Sequence, residues 1–215
     1  SNFAYCGAKE ADAGDCREDF NLGRLNITWT EGYQKNSDGT PKLNARDNLV
    51  YDHLYSYGSR SVSIWTENAK QNGLDLVWDS GDHFEQHIAK NHPEIFNFNH
   101  EEAGLDNRSD NKGPEPEGVT VGKIGEKTFA FIGLERVGGV MVYDVSTPTK
   151  PIFVQYINSR EFKADTNAIE AGLAGDLGPE GLVFITAKDS PNGQPLLVVG
   201  NEVSGSTAIY QVTLK

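Results

Sequence analysis

Two glutamates, Glu117 and Glu180, each stand in the middle of a Pro-Glu-Gly triplet, and two more, Glu135 and Glu202, follow at similar distances. Carboxylates repeated in this way supply hard oxygen ligands, and a Ca²⁺ ion takes roughly 6–8 of them. Paired acids can also do general acid/base work when burial pushes their pKa values apart. Arg136 follows Glu135 where the other copy has Val203. A guanidinium beside an acidic pocket can grip phosphate bidentately, and Arg60 is a comparable candidate. The plainer alternative stands beside each reading: glutamates that accept backbone N–H groups at strand corners, and arginines that only pair with carboxylates. All five histidines fall between residues 53 and 100, and His83 and His87 are spaced to share one helical face. The glutamate between them is misplaced for a His-Glu-x-x-His zinc motif, and the stretch Gly81–Lys90 reads as a short solvated helix. Asp106 and Asp110 lie in an Asn-rich loop without the Asp-x-Asp-x-Asp-Gly calcium pattern. A Gly-x-Ser-x-Gly elbow, a P-loop and a dinucleotide fingerprint are all absent.

The elements that must hold these residues are short. After residue 113 the chain is a series of apolar runs rich in Val, Ile, Phe and Tyr, bounded by Gly, Pro, Asn and Asp. The runs are Gly118–Val121, Thr128–Leu134, Val140–Val145, Ile152–Ile157, Leu182–Thr186, Leu196–Val199 and Thr207–Val212, each predicted as a β-strand. Ala164–Ala174 alone in this half has a helical look. Before residue 113 the polar stretches Gln34–Asp47 and Asn97–Lys112 read as loops.

An internal repeat organises the strands. Pro116-Glu117-Gly118-Val119 recurs 63 residues on as Pro179-Glu180-Gly181-Leu182. Phe131–Glu135 then matches Val198–Glu202, and Gly138–Val145 matches Gly205–Val212, both at an offset of 67. The extra residues fall in the turn Asp189–Gln194. A fainter copy lies upstream, where Arg60–Trp65 resembles the third strand of the unit and Leu74–Trp78 the fourth. Three or four antiparallel strands in roughly 65 residues is the pattern of a propeller blade. The fold class is therefore all-β, with about three blades of a larger propeller, because closed propellers have roughly 4–8; a small β-sandwich whose repeat reflects an old duplication is the alternative. Residues 1–21 form an N-terminal loop segment and residues 22–215 a partial propeller, with blade repeats near 54–96, 114–160 and 177–215. The last unit stops at its third strand, so the missing part is expected from an N-terminal remainder, on a separate chain or a cleaved segment.

The 215 residues carry 31 acidic and 19 basic side chains, a net charge of −12. Both halves share the excess, and such a field repels a polyanion, so nucleic acid is excluded as a partner. No stretch approaches the roughly 18 apolar residues that a membrane helix needs. Cys6 and Cys16, with nine residues between them, can close a small disulfide loop, which favours an oxidising compartment. Asn26-Ile27-Thr28 and Asn107-Arg108-Ser109 have the form of N-glycosylation acceptors. Together these features point to a secreted, cell-surface or periplasmic protein.

The segments Leu54–Trp65, Asp110–Val119, Phe131–Gly139, Gly178–Gly181 and Gly200–Gly205 resemble the bacterial choice-of-anchor I family. That family includes mesenchyme-specific cell-surface glycoproteins associated with biomineral deposition, and many members carry an alkaline-phosphatase-like label. The resemblance runs from about Leu22 to Lys215 and implies a secreted or surface-anchored β-propeller, of which this chain is the C-terminal half. The leading expectation is a calcium-dependent extracellular binding or matrix module, with Glu117, Glu180, Glu135 and Glu202 as metal ligands. A metal-dependent phosphomonoesterase, with Arg136 or Arg60 on the phosphate, and a purely structural surface protein are the alternatives. Whether the chain is an enzyme stays open at this point.

Overall fold

A computed structural model describes residues 18–19, 22–58, 60–102 and 104–214. Cys6 and Cys16, the expected disulfide pair, lie outside the described residues. The chain divides into two compact units, one of residues 1–59 with 109–112 and one of residues 60–108 with 113–215.

The described part of the first unit is an irregular ladder rather than a sheet. Isolated antiparallel bridges join Ile27 to Ser56, Tyr33 to Tyr51, Lys35 to Pro41 and Leu43 to Leu49. Short polar side chains make its turns: Asn44 Oδ1 accepts from the N–H groups of Arg46 and Asn48, and Asp38 Oδ1 accepts from Thr40. Such Asx contacts compete with regular secondary structure, so a chain this rich in Asn and Asp folds back without forming strands.

The second unit holds the strands. In chain order they are β1 (Ser63–Glu67), β2 (Leu74–Asp79), helix α1 (His83–Asn91), β3 (Pro116–Ile124), β4 (Lys127–Leu134), β5 (Val140–Asp144) and β6 (Ile152–Ile157). Helix α2 (Thr166–Glu170) and strands β7 (Pro179–Ile185), β8 (Leu196–Asn201) and β9 (Ser206–Gln211) follow. Among the described residues they form three antiparallel sheets, β1-β2, β3-β4-β5-β6 and β7-β8-β9. This is the all-β arrangement of successive propeller blades. Within each sheet consecutive strands pair, and the shortest connection joins β3 to β4 through the two residues Gly125-Glu126, with Gly125 at φ +61°.

The four-stranded sheet is the middle layer and is apolar on both faces. Phe129, Phe131, Val140 and Val142 pack on Leu197 and Val199 of the third sheet. Ala130, Ile132, Leu134, Met141 and Tyr143 pack the opposite way, on Phe84 and Ile88 of α1 and on Trp78 of β2. Phe84 and Ile88 are 0% exposed, so α1 is a core helix, not the solvated one its charged residues suggest. Four positions apart, the two apolar side chains lie on one face and are enough to seat it.

The innermost strands β3 and β7 run side by side. A Cβ on Gly118 would lie 2.2 Å from the Glu180 carbonyl oxygen, and one on Gly122 2.4 Å from the Phe184 ring. Only glycine permits this approach. Gly181, the repeat counterpart of Gly118, has nothing within 4 Å of the same position.

Candidate acidic site at the start of the innermost strands

The Pro-Glu-Gly triplets open β3 and β7 at equivalent places. Pro116 pairs with Leu134 and Pro179 with Asn201, positions related by the repeat, and in both sheets the register breaks immediately afterwards. A bulge of this kind re-aims the side chains beside it. In β3 these are Glu117 and Gly118; in β7 the break follows Pro179 at Glu180.

The segment before β3 is tied to the end of β4. The Glu135 N–H donates to the Glu115 carbonyl at 2.8 Å and the Arg136 N–H to the Pro114 carbonyl at 3.2 Å. The third sheet repeats this strap, with the Glu202 N–H donating to the Gly178 carbonyl at 2.8 Å. Glu115 therefore occupies the place of Gly178, and both have left-handed backbones, with φ of +52° and +71°. A glutamate held where its counterpart is glycine carries backbone strain of about 1 kcal/mol or more, the kind that concentrates at functional sites.

Its side chain is the centre of the cluster. Carboxylate oxygens of Glu115, Glu117 and Glu135 all lie within 4.8 Å of one another. Glu115 and Glu135 are buried at 6% and 8% exposure, while Glu117 is exposed. Arg108 donates to Glu115 Oε1, and Arg136 Nε stands 3.0 Å from the same oxygen. Arg136 also reaches Glu135 Oε1 at 3.3 Å and touches the buried ring of His100. Burial first, then a hydrogen bond with Glu117, pushes Glu135 up to about 7 from 4.5. Burial and then the Arg136 charge hold His100 below its usual value, so the ring is neutral at physiological pH.

A second carboxylate pair adjoins the first across the β3/β7 contact. Glu180 is hydrogen-bonded to Glu202, which raises its pKa, and it also feels the charge of Glu117. The four glutamates singled out by the repeat thus stand as two pairs, Glu117 with Glu135 and Glu180 with Glu202. Arg136 lies within this site. Arg60 instead donates to Glu85 on α1 at 2.8 Å, and Asn97 shares that same carboxylate oxygen.

Three participants escape the repeat comparison. Glu115 is missed because matching copies highlights identities, whereas its signal is a mismatch, Glu against Gly178. His100 and Arg108 arrive from a loop that lies before the repeat. The histidines of α1 go elsewhere: His83 Nδ1 meets the Tyr143 hydroxyl at 2.5 Å, and the His87 ring packs tilted against Phe153, with centroids 4.6 Å apart. Asp110, the other loop candidate, lies in the first unit, 3.9 Å from Arg24.

Chemically the arrangement gathers five carboxylates about two guanidinium groups. A family model described as the choice-of-anchor I domain matches residues 8–148. The chain belongs to the choice-of-anchor I family. Gigasin-3a of Magallana gigas is 29% identical over 213 residues, covering 95% of this chain and 69% of that protein. A mesenchyme-specific cell surface glycoprotein of Strongylocentrotus purpuratus is 25% identical over 177 residues, covering 78% of this chain and 23% of that one. No solved structure matches this choice-of-anchor I chain. No described helix in it is long and apolar enough to cross a membrane.

Proposed function

We propose that this choice-of-anchor I chain is an extracellular or cell-surface propeller module that binds Ca²⁺ through the glutamates at the start of its innermost strands. The carrying observation is the convergence of Glu115, Glu117 and Glu135 oxygens within 4.8 Å, with Glu135 lifted to about 7 by burial and its acidic neighbour. Oxygens that close are compatible with one ion at roughly 2.3–2.6 Å from each. Exposed Glu117 leaves the ion an approach from solvent, and at buried Glu115 and Glu135 the ion has to compete with Arg108 and Arg136, which already hold Glu115 Oε1 and Glu135 Oε1. Glu180 and Glu202 sit on the neighbouring sheet, where a cation would relieve their mutual repulsion and brace the contact between β3 and β7. The surface assignment draws on the relative named as a cell surface glycoprotein.

Arg136 is committed to Glu115, Glu135 and His100, which leaves it poorly placed to take a phosphate monoester. Binding rather than hydrolysis is the function this geometry favours.

Calorimetric titration of Ca²⁺ into the metal-free chain tests the reading. Saturable binding is expected, with affinity weakened about tenfold or more in Glu117→Gln, and with Mg²⁺ a poor substitute because it demands a stricter octahedron. Absence of both heat and thermal stabilisation at millimolar Ca²⁺ overturns it. Chelator-sensitive turnover of p-nitrophenyl phosphate would replace it with the hydrolase reading.

A further inference from the structure

The end of β6 and the residues after it grip the hairpin between β4 and β5 with every second side chain. The Tyr156 hydroxyl donates to the Gly138 carbonyl at 2.7 Å. The Asn158 amide donates to the Val137 carbonyl at 3.4 Å, and Arg160 Nη1 donates to the Arg136 carbonyl at 3.1 Å. Three alternate residues thus take three successive carbonyls, carrying the two-residue period of the strand past its end. Arg160 makes a second donation, from Nη2 to the Asn99 carbonyl at 2.7 Å. One guanidinium therefore joins the residue before His100 to the residue after Glu135.

Arg160 is only 6% exposed. Its guanidinium carbon lies 5.8 Å from the Phe98 ring and 5.6 Å from the Phe162 ring. Its Nε is buried with no hydrogen-bond partner, and among the described residues its side chain donates to carbonyls rather than to a carboxylate. Burial lowers its pKa to about 10, which leaves it charged at physiological pH. A buried cation without an anion costs stability, and this chain has 31 acids from which to supply one. What the guanidinium gives instead is a rigid planar fork that spans two acceptors at once.

We propose that Arg160 is a positioning residue for the acidic site, fixing the His100 loop against the Glu135-Arg136 corner through its two carbonyl bonds. His100 and Arg136 are thereby kept in contact, with Arg136 on Glu115 and Glu135. Arg160 holds the main chain of Arg136 and not its guanidinium. Its loss lets the carboxylates spread without removing the cations that compete for them, so Ca²⁺ has to reorder the corner as it binds. The effect on Ca²⁺ rests on the calcium reading above, whereas the effect on the His100 loop does not.

The test compares Arg160→Met and Arg160→Lys with the unaltered chain and with Val142→Ala, a truncation in the interface with the third sheet. Ca²⁺ affinity is read by calorimetry, and the His100 ring by its proton–nitrogen NMR signals in metal-free protein at one fixed pH. Arg160→Met should weaken Ca²⁺ binding about tenfold or more and shift or broaden the His100 signals. Arg160→Lys keeps the charge but not the fork, and should fall between. Val142→Ala should lower the melting temperature and leave both readouts unchanged. Native affinity together with native His100 signals in Arg160→Met overturns the proposal. Equal losses in Val142→Ala also overturn it, since reduced stability alone then explains them. If Arg160→Met does not fold, Arg160→Lys against Val142→Ala decides in the same way. If the unaltered chain binds no Ca²⁺, the calcium reading falls and the His100 signals alone decide on Arg160.

Discussion

Glu135 shows how a single side chain sets a pH response. Burial and Glu117 lift it to about 7 from 4.5, so across that interval the folded chain holds a proton that the unfolded chain has released. Stability of the metal-free protein therefore falls as pH rises through this window. Denaturant titrations at pH 5 and pH 8 should show the loss, and Glu135→Gln should flatten it. An unchanged slope in that variant would place the effect on other groups. The same chemistry bears on what is legible at residue level. Glu117, Glu135, Glu180 and Glu202 can be read as a set because two copies of one unit carry them. Glu115 cannot, because the residue that matters there replaces a glycine. Its left-handed backbone, at φ +52°, is visible only once the chain is folded.

At the scale of elements, sequence and structure agree most closely where backbone geometry and burial both act. Strands β4, β5, β8 and β9 follow directly from their β-branched and aromatic runs, punctuated by turn residues. Helix α1 departs from expectation in its surroundings, because two buried side chains outweigh the seven other residues of a charged nonamer, and pattern alone does not say what covers them. The closeness of β3 and β7 is likewise a packing result, written into the sequence only as a glycine. A methyl group on Gly118 would stand 2.2 Å from the Glu180 carbonyl, so Gly118→Ala should cost about 2 kcal/mol or more as the two sheets are forced apart. Gly181→Ala, made in the same chain, should shift stability by less than about 0.5 kcal/mol. Thermal melts of the two variants check the contrast, and equal losses would mean that glycine is needed at both sites for backbone reasons alone.

For the molecule as a whole, a net charge of −12 opposes compaction at low ionic strength. Raising NaCl from 20 to 200 mM (concentrations of about this size span the useful range of screening) should stabilise the metal-free chain modestly. Ca²⁺ at matched ionic strength should stabilise it further, and Glu117→Gln should remove only that second increment. If salt and Ca²⁺ act alike at equal ionic strength, diffuse screening is the whole effect. The propeller character of the fold is readable from the repeat, since offsets of 63 and 67 residues bring the same register and the same strand break to both sheets.

Gly118 and Gly181 form a before-and-after pair. One clearance is occupied by the adjoining strand, and the other, cut to the same pattern, is vacant. An added methyl group therefore meets the adjoining strand at Gly118 and open space at Gly181, so two positions made equivalent by the repeat report different neighbours when substituted.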